Sequence, residues 1–116
     1  MTYDFKNDVV IITGAGQGIG FEIARQLALG GASVVLNDLD EKLATEASKK
    51  INDQGGVSIA FPGDASNADF ISRMVDTTVH RFGRLTLAVA NAGITLFGEF
   101  LTYSPESFYK VLQVNL

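Results

Sequence analysis

Short apolar runs alternate along the chain with stretches in which apolar residues recur every three or four positions. Runs of this kind are typical of buried strands, and the wider spacing is typical of helices that bury one face. The runs predict strands at 9–13, 33–37, 57–61 and 85–90. Strands that alternate with helices indicate βαβ units. The sequence therefore predicts an α/β fold with a parallel sheet that is covered by helices on both faces.

Each intervening helix is expected to bury one apolar stripe and to end at glycine. Ser66 and Asp69 have the spacing of a capping box and predict the start of the third helix. A last helix is predicted to begin at Ser104, with Pro105 in its first turn. The residues expected on the buried stripes are Ile19, Ile23 and Leu27, then Leu39, Leu43, Ala47 and Ile51, then Ile71, Met74, Val75, Val79 and Phe82.

The turn between the first strand and the first helix, residues 13–20, is rich in glycine. Glycines let the main chain approach a ligand closely, and a helix start offers unpaired N–H groups and a positive dipole end. A pyrophosphate would fit such a turn. Gly14, Gly18 and Gly20 follow the order G-x-x-x-G-x-G, which departs from the commoner fingerprint G-x-G-x-x-G. On the glycines alone, an ordinary tight turn and a methyltransferase-like nucleotide site stay open.

An acidic residue follows the second predicted strand. In dinucleotide-binding folds, a carboxylate about 20 residues after the glycine-rich loop accepts hydrogen bonds from the adenosine ribose. Asp38 lies close to that distance from Gly20, at the end of a strand. The pair of signals favours a dinucleotide over an ordinary turn.

Composition narrows the class of partner. The chain has 116 residues, which suits one domain, and its 13 acidic and 9 basic residues include no basic run that would indicate nucleic-acid binding. Cysteine is absent, which excludes disulfides and thiolate chemistry from this stretch. No apolar run approaches the length of a membrane span, and the first residues lack the form of a signal peptide. We therefore expect a cytoplasmic protein that binds a small molecule, with no nucleic acid, membrane or metal as partner.

Several separate motifs resemble those of the short-chain dehydrogenase/reductase family. Besides the loop and Asp38, the turn Gly63-Asp64-Ala65 resembles the family's adenine-contacting turn. Residues 90–93 match its Asn-Asn-Ala-Gly motif in three places of four, and residues 114–116 resemble the segment that carries the Asn of its catalytic tetrad. The resemblance covers nearly the whole chain. It implies a Rossmann-type doubly wound parallel sheet with the strand order 3-2-1-4.

The resemblance also implies roles for single residues. Asn115 would be catalytic by holding a water in a proton relay, Asp38 would bind the ribose, and Asp64 would meet the adenine amino group. Because the Asp38 carboxylate would repel a 2′-phosphate, NAD is the expected cofactor and NADP is disfavoured. The expected cofactor-binding residues are Thr13, Gly14, Gly16, Gln17, Gly18, Ile19, Gly20, Asp38, Leu39, Asp64, Ala65, Asn91, Ala92 and Gly93.

The chain departs from the family's pattern at Thr86, at Ala90 and at its end, since no Tyr-x-x-x-Lys occurs in it. We expect residues 1–116 to be the NAD-binding portion of a single-domain oxidoreductase, truncated at the C-terminal end and inactive alone. The parent would transfer a hydride between nicotinamide and a carbonyl or secondary alcohol, as a homo-oligomer (dimer or tetramer). The alternative is a non-catalytic dinucleotide-binding sensor or interaction module.

Overall fold

The computed structural model describes residues 4–92. In chain order its elements are β1 (Val9–Ile12), α1 (Gly18–Leu29), β2 (Ser33–Leu36), α2 (Glu41–Asp53), β3 (Val57–Ala60), α3 (Ala68–Phe82) and β4 (Leu87–Val89). The helix predicted from Ser104, and the predicted site residues Gly93 and Asn115, lie outside the described residues. No helix within 4–92 is long and apolar enough to cross a membrane.

The strands form one sheet in the order β3-β2-β1-β4, and every pair is parallel. This confirms the predicted Rossmann-type order 3-2-1-4. The strands occupy the predicted positions but are shorter, most of all β4, which pairs only with β1 within the described residues. The chain moves outward from β1 in both directions, so the order reverses between β1 and β4. In open α/β sheets such a reversal leaves a crevice outside the carboxyl ends of the strands, where ligands bind.

Both faces of the central strands are buried. One face of β1 packs Val10 and Ile12 with residues of α1 and α2, and the opposite face packs Ile11 with Phe70 and Met74 of α3. Successive strand residues point to opposite faces, so a strand covered on both sides must be apolar at every position. The helices on the two faces therefore explain the unbroken apolar runs.

Helix α1 turns small residues toward the core. Its buried residues are Gly20, Ala24 and Ala28, one position after the predicted stripe. Ile19 is 77% exposed, so its prediction as a buried residue is wrong. The other two residues of that stripe are partly buried at the edge of the core. Small side chains fill the limited space between helix and sheet, and the larger ones pack at its margins.

Two other predicted core residues are exposed. Leu39 is 74% exposed because it precedes α2, whose N-cap is Asp40. Val79 is 43% exposed, and its neighbour Thr78 is fully buried in its place. The Thr78 hydroxyl donates to the Met74 carbonyl at 2.7 Å, so burial leaves no unpaired hydroxyl. A polar residue whose side chain bonds to the backbone of its own helix can therefore be buried where the apolar pattern predicts that its neighbour is buried.

Helix α3 begins one residue later than the predicted capping box. Asn67 is the N-cap, and its side-chain oxygen accepts from the Phe70 N–H at 2.9 Å. Ser66 instead donates its hydroxyl to the Asp64 carboxylate at 2.6 Å, in the turn before the helix. The predicted capping box of Ser66 and Asp69 is therefore wrong, because Ser66 is already used by the preceding turn.

Removing the observed cap should destabilise the protein. We expect Asn67→Ala to lower the free energy of unfolding by about 1 kcal/mol, because the Phe70 N–H loses its acceptor. Ser66→Ala is the control and should cost less than about 0.5 kcal/mol, as it removes an exposed side-chain bond. Urea unfolding of both variants measures the difference. The reverse order of the two effects would contradict the assignment of the cap.

Candidate functional site

The loops that follow the four strands meet at one edge of the sheet, because parallel strands all end there. The glycine-rich turn follows β1, Asp38 follows β2, the turn with Asp64 follows β3, and Asn91 and Ala92 follow β4. The structure thus brings together predicted site residues from four separate stretches of sequence. Gly93 and Asn115 are not among them, since both lie outside the described residues.

The glycine-rich turn is tied to the segment after β4. The Thr13 hydroxyl accepts hydrogen bonds from the N–H groups of Asn91, at 3.1 Å, and Ala92, at 2.9 Å. The Asn91 side-chain amide in turn donates to the Gly14 carbonyl at 3.1 Å. Gly14 has a φ of 64°, and a Cβ there would lie 2.8 Å from Ala92 Cα. Only glycine combines this backbone angle with so close an approach.

Gly20 leaves room for the same contact from the helix side. A Cβ on Gly20 would overlap the Asn91 side-chain amide and would lie 2.5 Å from the Gly14 carbonyl oxygen. Any side chain there would push Asn91 off the loop. Gly14 and Gly20 therefore serve to close the loop against the segment after β4.

The N-terminus of α1 differs from those of the other described helices. Asp40 caps α2 and Asn67 caps α3, whereas Gln17, at the cap position of α1, makes no side-chain cap bond. The first turn of α1 also has no acidic residue. Backbone N–H groups at a helix start and the positive end of the helix dipole attract anions. The site therefore offers backbone N–H groups from which a phosphate could accept hydrogen bonds.

Space is available beside those donors. A Cβ added to Gly18, whose φ is 66°, would meet no atom within 4 Å in the described structure. Two large apolar side chains are exposed at the same edge, Ile19 at the start of α1 and Leu39 after β2. Open space beside helix-start donors, with exposed apolar side chains nearby, fits a group that has both phosphates and flat aromatic rings.

The Asp38 carboxylate lies next to the loop and is held by backbone donors. One oxygen, Oδ2, accepts from the Gly16 N–H at 2.9 Å, and the other, Oδ1, accepts from the Asp40 N–H at 3.0 Å. The Asp38 carbonyl accepts from the Gly63 N–H at 3.0 Å, which joins the ends of β2 and β3. A carboxylate oxygen has room for more than one hydrogen bond, so both can still accept from a ligand.

Asn37 supports this arrangement, a role that sequence analysis missed. Its side chain is 1% exposed and donates to the carbonyls of Phe61 and Gly63, each at 3.1 Å. It therefore fixes the turn after β3 beside Asp38. A polar residue at the end of an apolar run was the available signal, because a buried amide must find partners.

The turn after β3 places Asp64 at the surface. Its Oδ1 accepts from the Ser66 N–H at 2.9 Å and from the Ser66 hydroxyl at 2.6 Å. Ala65 is half-buried between these residues. The Ser66 bonds give the carboxylate a defined orientation at the edge of the sheet where Asp38 also lies.

Charge near the start of α1 is already paired. The Arg25 guanidinium hydrogen-bonds Glu22, and together with the Gln26 amide it lowers the pKa of that carboxyl to about 2. Glu22 therefore stays ionised and associated with Arg25 at neutral pH. No group of three or more His, Cys, Asp or Glu side chains that could hold a metal occurs within residues 4–92.

The sequence of the whole site segment matches a known family. The model of the short chain dehydrogenase family matches residues 8–116. The chain belongs to this family. The match confirms the resemblance found in the motifs, and it covers the loop, Asp38, Asp64, Asn91 and the undescribed residues through Asn115 together.

Individual members are similar over the full chain. L-rhamnose-1-dehydrogenase of Scheffersomyces stipitis is 38% identical over 100% of this chain and 46% of its own length. Versicolorin reductase of Emericella nidulans is 35% identical over 97% of this chain and 43% of its own length. The chain thus spans about half the length of the curated relatives it matches.

Solved structures of family members share the fold. A short-chain type dehydrogenase/reductase from Mycobacterium marinum has a TM-score of 0.93 at 27% identity, over 99% of this chain and 47% of its own. A metagenomic short-chain oxidoreductase in complex with NADP has a TM-score of 0.87 at 32% identity, over 100% of this chain and 52% of its own. Both support the Rossmann-type assignment of the four-stranded sheet.

Filling the open space at Gly18 should block cofactor binding. We expect Gly18→Val to abolish binding of NAD, because the side chain would enter the path of the pyrophosphate beside the start of α1. Gly55→Val is the matched control: Gly55 has a φ of 97° and equally open surroundings, but it follows α2 at the opposite edge of the sheet. Both positions have a positive φ, so both variants place a β-branched side chain on a strained backbone.

Calorimetric titration with NAD, with circular dichroism to check folding, measures the outcome. Loss of binding in the Gly18 variant alone is the expected result. Equal binding by the two variants would mean that the glycine-rich loop is only a turn.

Proposed function

We propose that this chain is the dinucleotide-binding part of an NAD-dependent oxidoreductase that acts on a carbonyl or a secondary alcohol. One observation carries the proposal: the Asp38 carboxylate is held by backbone N–H groups next to a glycine-rich helix start that has open space beside it. Membership of the short chain dehydrogenase family supports it and favours an enzyme over a non-catalytic sensor or a methyltransferase-like site.

The residues present fit a dinucleotide in three places. N–H groups at the start of α1 would donate to the pyrophosphate, with Gly18 leaving room for it. Asp38 would accept from the hydroxyls of the adenosine ribose. Asp64 would meet the adenine amino group, and the exposed side chains of Ile19 and Leu39 would pack on the bound cofactor.

Electrostatics favours NAD over NADP in this site. A 2′-phosphate would lie against the Asp38 carboxylate, and two unit charges 4 Å apart repel by about 1 kcal/mol in water and by about 4 kcal/mol at an effective dielectric constant of 20. Gln17 in the loop and Leu39 next to Asp38 are both neutral. They supply no cation that would offset the repulsion.

When bound, the nicotinamide supplies or accepts the hydride. The chain's own contribution is to hold the cofactor in place: the Thr13 and Asn91 bonds fix the glycine-rich loop beside β4. Asn115 would hold a water for proton transfer, as its match to the family's segment implies. A cytoplasmic location and a homo-oligomeric parent, a dimer or tetramer, complete the proposal.

Cofactor preference gives a direct test. We expect the protein at its natural length to bind NAD at least about tenfold more tightly than NADP, because of the repulsion at Asp38. Asp38→Ala should narrow the ratio. Asp76→Ala, which removes an exposed carboxylate on α3, is the matched control and should leave the ratio unchanged. Titration of each variant with both cofactors gives the answer, and NADP binding as tight as that of NAD would contradict the assignment.

The reaction can be tested separately. We expect the protein at its natural length to reduce NAD with some member of a panel of secondary alcohols that includes sugars. Asn115→Ala should lower kcat by about tenfold or more, because it removes support for proton transfer, and should leave the dissociation constant of NAD unchanged. Unchanged kcat in this variant would exclude Asn115 from the catalytic set, and absence of turnover on every alcohol and carbonyl tried would argue for a non-catalytic binding protein.

A further inference from the structure

Asp38 is held in one orientation by two backbone donors, and Gly16 provides one of them. The Gly16 N–H donates to Oδ2 at 2.9 Å, while the Asp40 N–H donates to Oδ1 at 3.0 Å. With one bond on each oxygen, the carboxylate cannot turn about its own axis without losing at least one of them. Its position relative to the loop is therefore set by the backbone of residue 16.

Gly16 is required here by space and not by backbone angle. Its φ lies outside the left-handed region, where six other described glycines are found. A Cβ on Gly16 would instead lie 2.7 Å from Asp38 Oδ2, 2.9 Å from Asp38 Cγ and 2.8 Å from Leu43 Cβ. Asp38 occupies the volume that any side chain at position 16 would need.

The two neighbours of that volume can yield to different extents. Leu43 Cβ is fixed to the first turn of α2, which Asp40 caps through the Leu43 N–H at 3.1 Å. The Asp38 carboxylate is the end of a side chain and can move by rotation about its χ angles, at the cost of its backbone hydrogen bonds. A side chain at position 16 would therefore displace the carboxylate and break its bond to the N–H of residue 16, and the loop would also have to shift away from Leu43 Cβ.

We propose that Gly16 determines cofactor specificity by reserving the space in which Asp38 is held. The inference rests on the proposed NAD site and names a second residue that sets its preference. With Gly16, the carboxylate is preorganised toward the ribose hydroxyls of NAD and against a 2′-phosphate. With alanine at position 16 of this chain, the carboxylate would be displaced, and the preference for NAD would weaken although the charge remains.

The test is a double-mutant cycle on the protein at its natural length. The variants are Gly16→Ala, Asp38→Ala and the pair, with Gly56→Ala as the control. A Cβ on Gly56 would also be crowded, at 2.8 Å from Ile51 Cγ2, but Gly56 lies before β3 at the opposite edge of the sheet. Each is titrated with NAD and with NADP, and the readout is the ratio of the dissociation constant of NADP to that of NAD. A general disturbance of the loop would weaken the binding of both cofactors alike and leave the ratio unchanged.

We expect Gly16→Ala to reduce the ratio by about tenfold, mainly through weaker NAD binding, because a charge-assisted hydrogen bond is lost from the carboxylate. In the Asp38→Ala background the same substitution should leave the ratio unchanged. Gly56→Ala should leave the ratio unchanged. An unchanged ratio in Gly16→Ala, or an equal shift when Asp38 is absent, would overturn the proposal.

Two other outcomes are informative. If Gly16→Ala no longer folds while Gly56→Ala does, the collision with Leu43 decides the outcome and not the carboxylate, and the proposal is wrong. If the wild-type protein binds neither NAD nor NADP, the proposed function itself fails. That result does not depend on how the Gly16 variant behaves. Failure of the specificity inference is thus distinguishable from failure of the cofactor site.

Discussion

Parallel strand pairing is the constraint on which the site depends. Because β1, β2, β3 and β4 run in the same direction, their carboxyl ends meet at one edge, and the chain returns through a helix after each of β1, β2 and β3. The reversal of strand order beside β1 opens the crevice at that edge. Residues that are far apart in sequence, such as Gly14 and Asn91, come into contact for this reason.

The edge is then organised by three short polar side chains that bond to backbone groups. Thr13 accepts from the segment after β4, Asn37 donates to the turn after β3, and Asp38 accepts from the loop after β1. Each of these bonds joins the ends of two different strands. Together they hold the loops in place before any ligand binds, which reduces the cost of ordering them on binding.

Much of this could be predicted from sequence, because the informative patterns are local. Apolar runs identify strands covered on both faces, and the loop glycines identify a close approach of backbone. The predictions that were wrong or missing concern residues whose surroundings depend on distances between elements. Ile19 had the spacing of a core residue, but the residues of α1 that are buried against the sheet are the small ones, Gly20, Ala24 and Ala28. Ser66 had the right spacing for a cap, but its hydroxyl donates to the Asp64 carboxylate in the preceding turn. Asn37 was missed because its partners come from another strand.

A crystal structure of the protein at its natural length with NAD bound tests the central claim most directly, since it shows which atoms the cofactor meets. The account predicts pyrophosphate oxygens at about 3 Å from backbone nitrogens at the start of α1, and both adenosine ribose hydroxyls at a similar distance from the Asp38 carboxylate. It also predicts that the carboxylate keeps its bond to the Gly16 N–H. Adenosine bound away from Asp38, or a pyrophosphate that does not contact the start of α1, would contradict it.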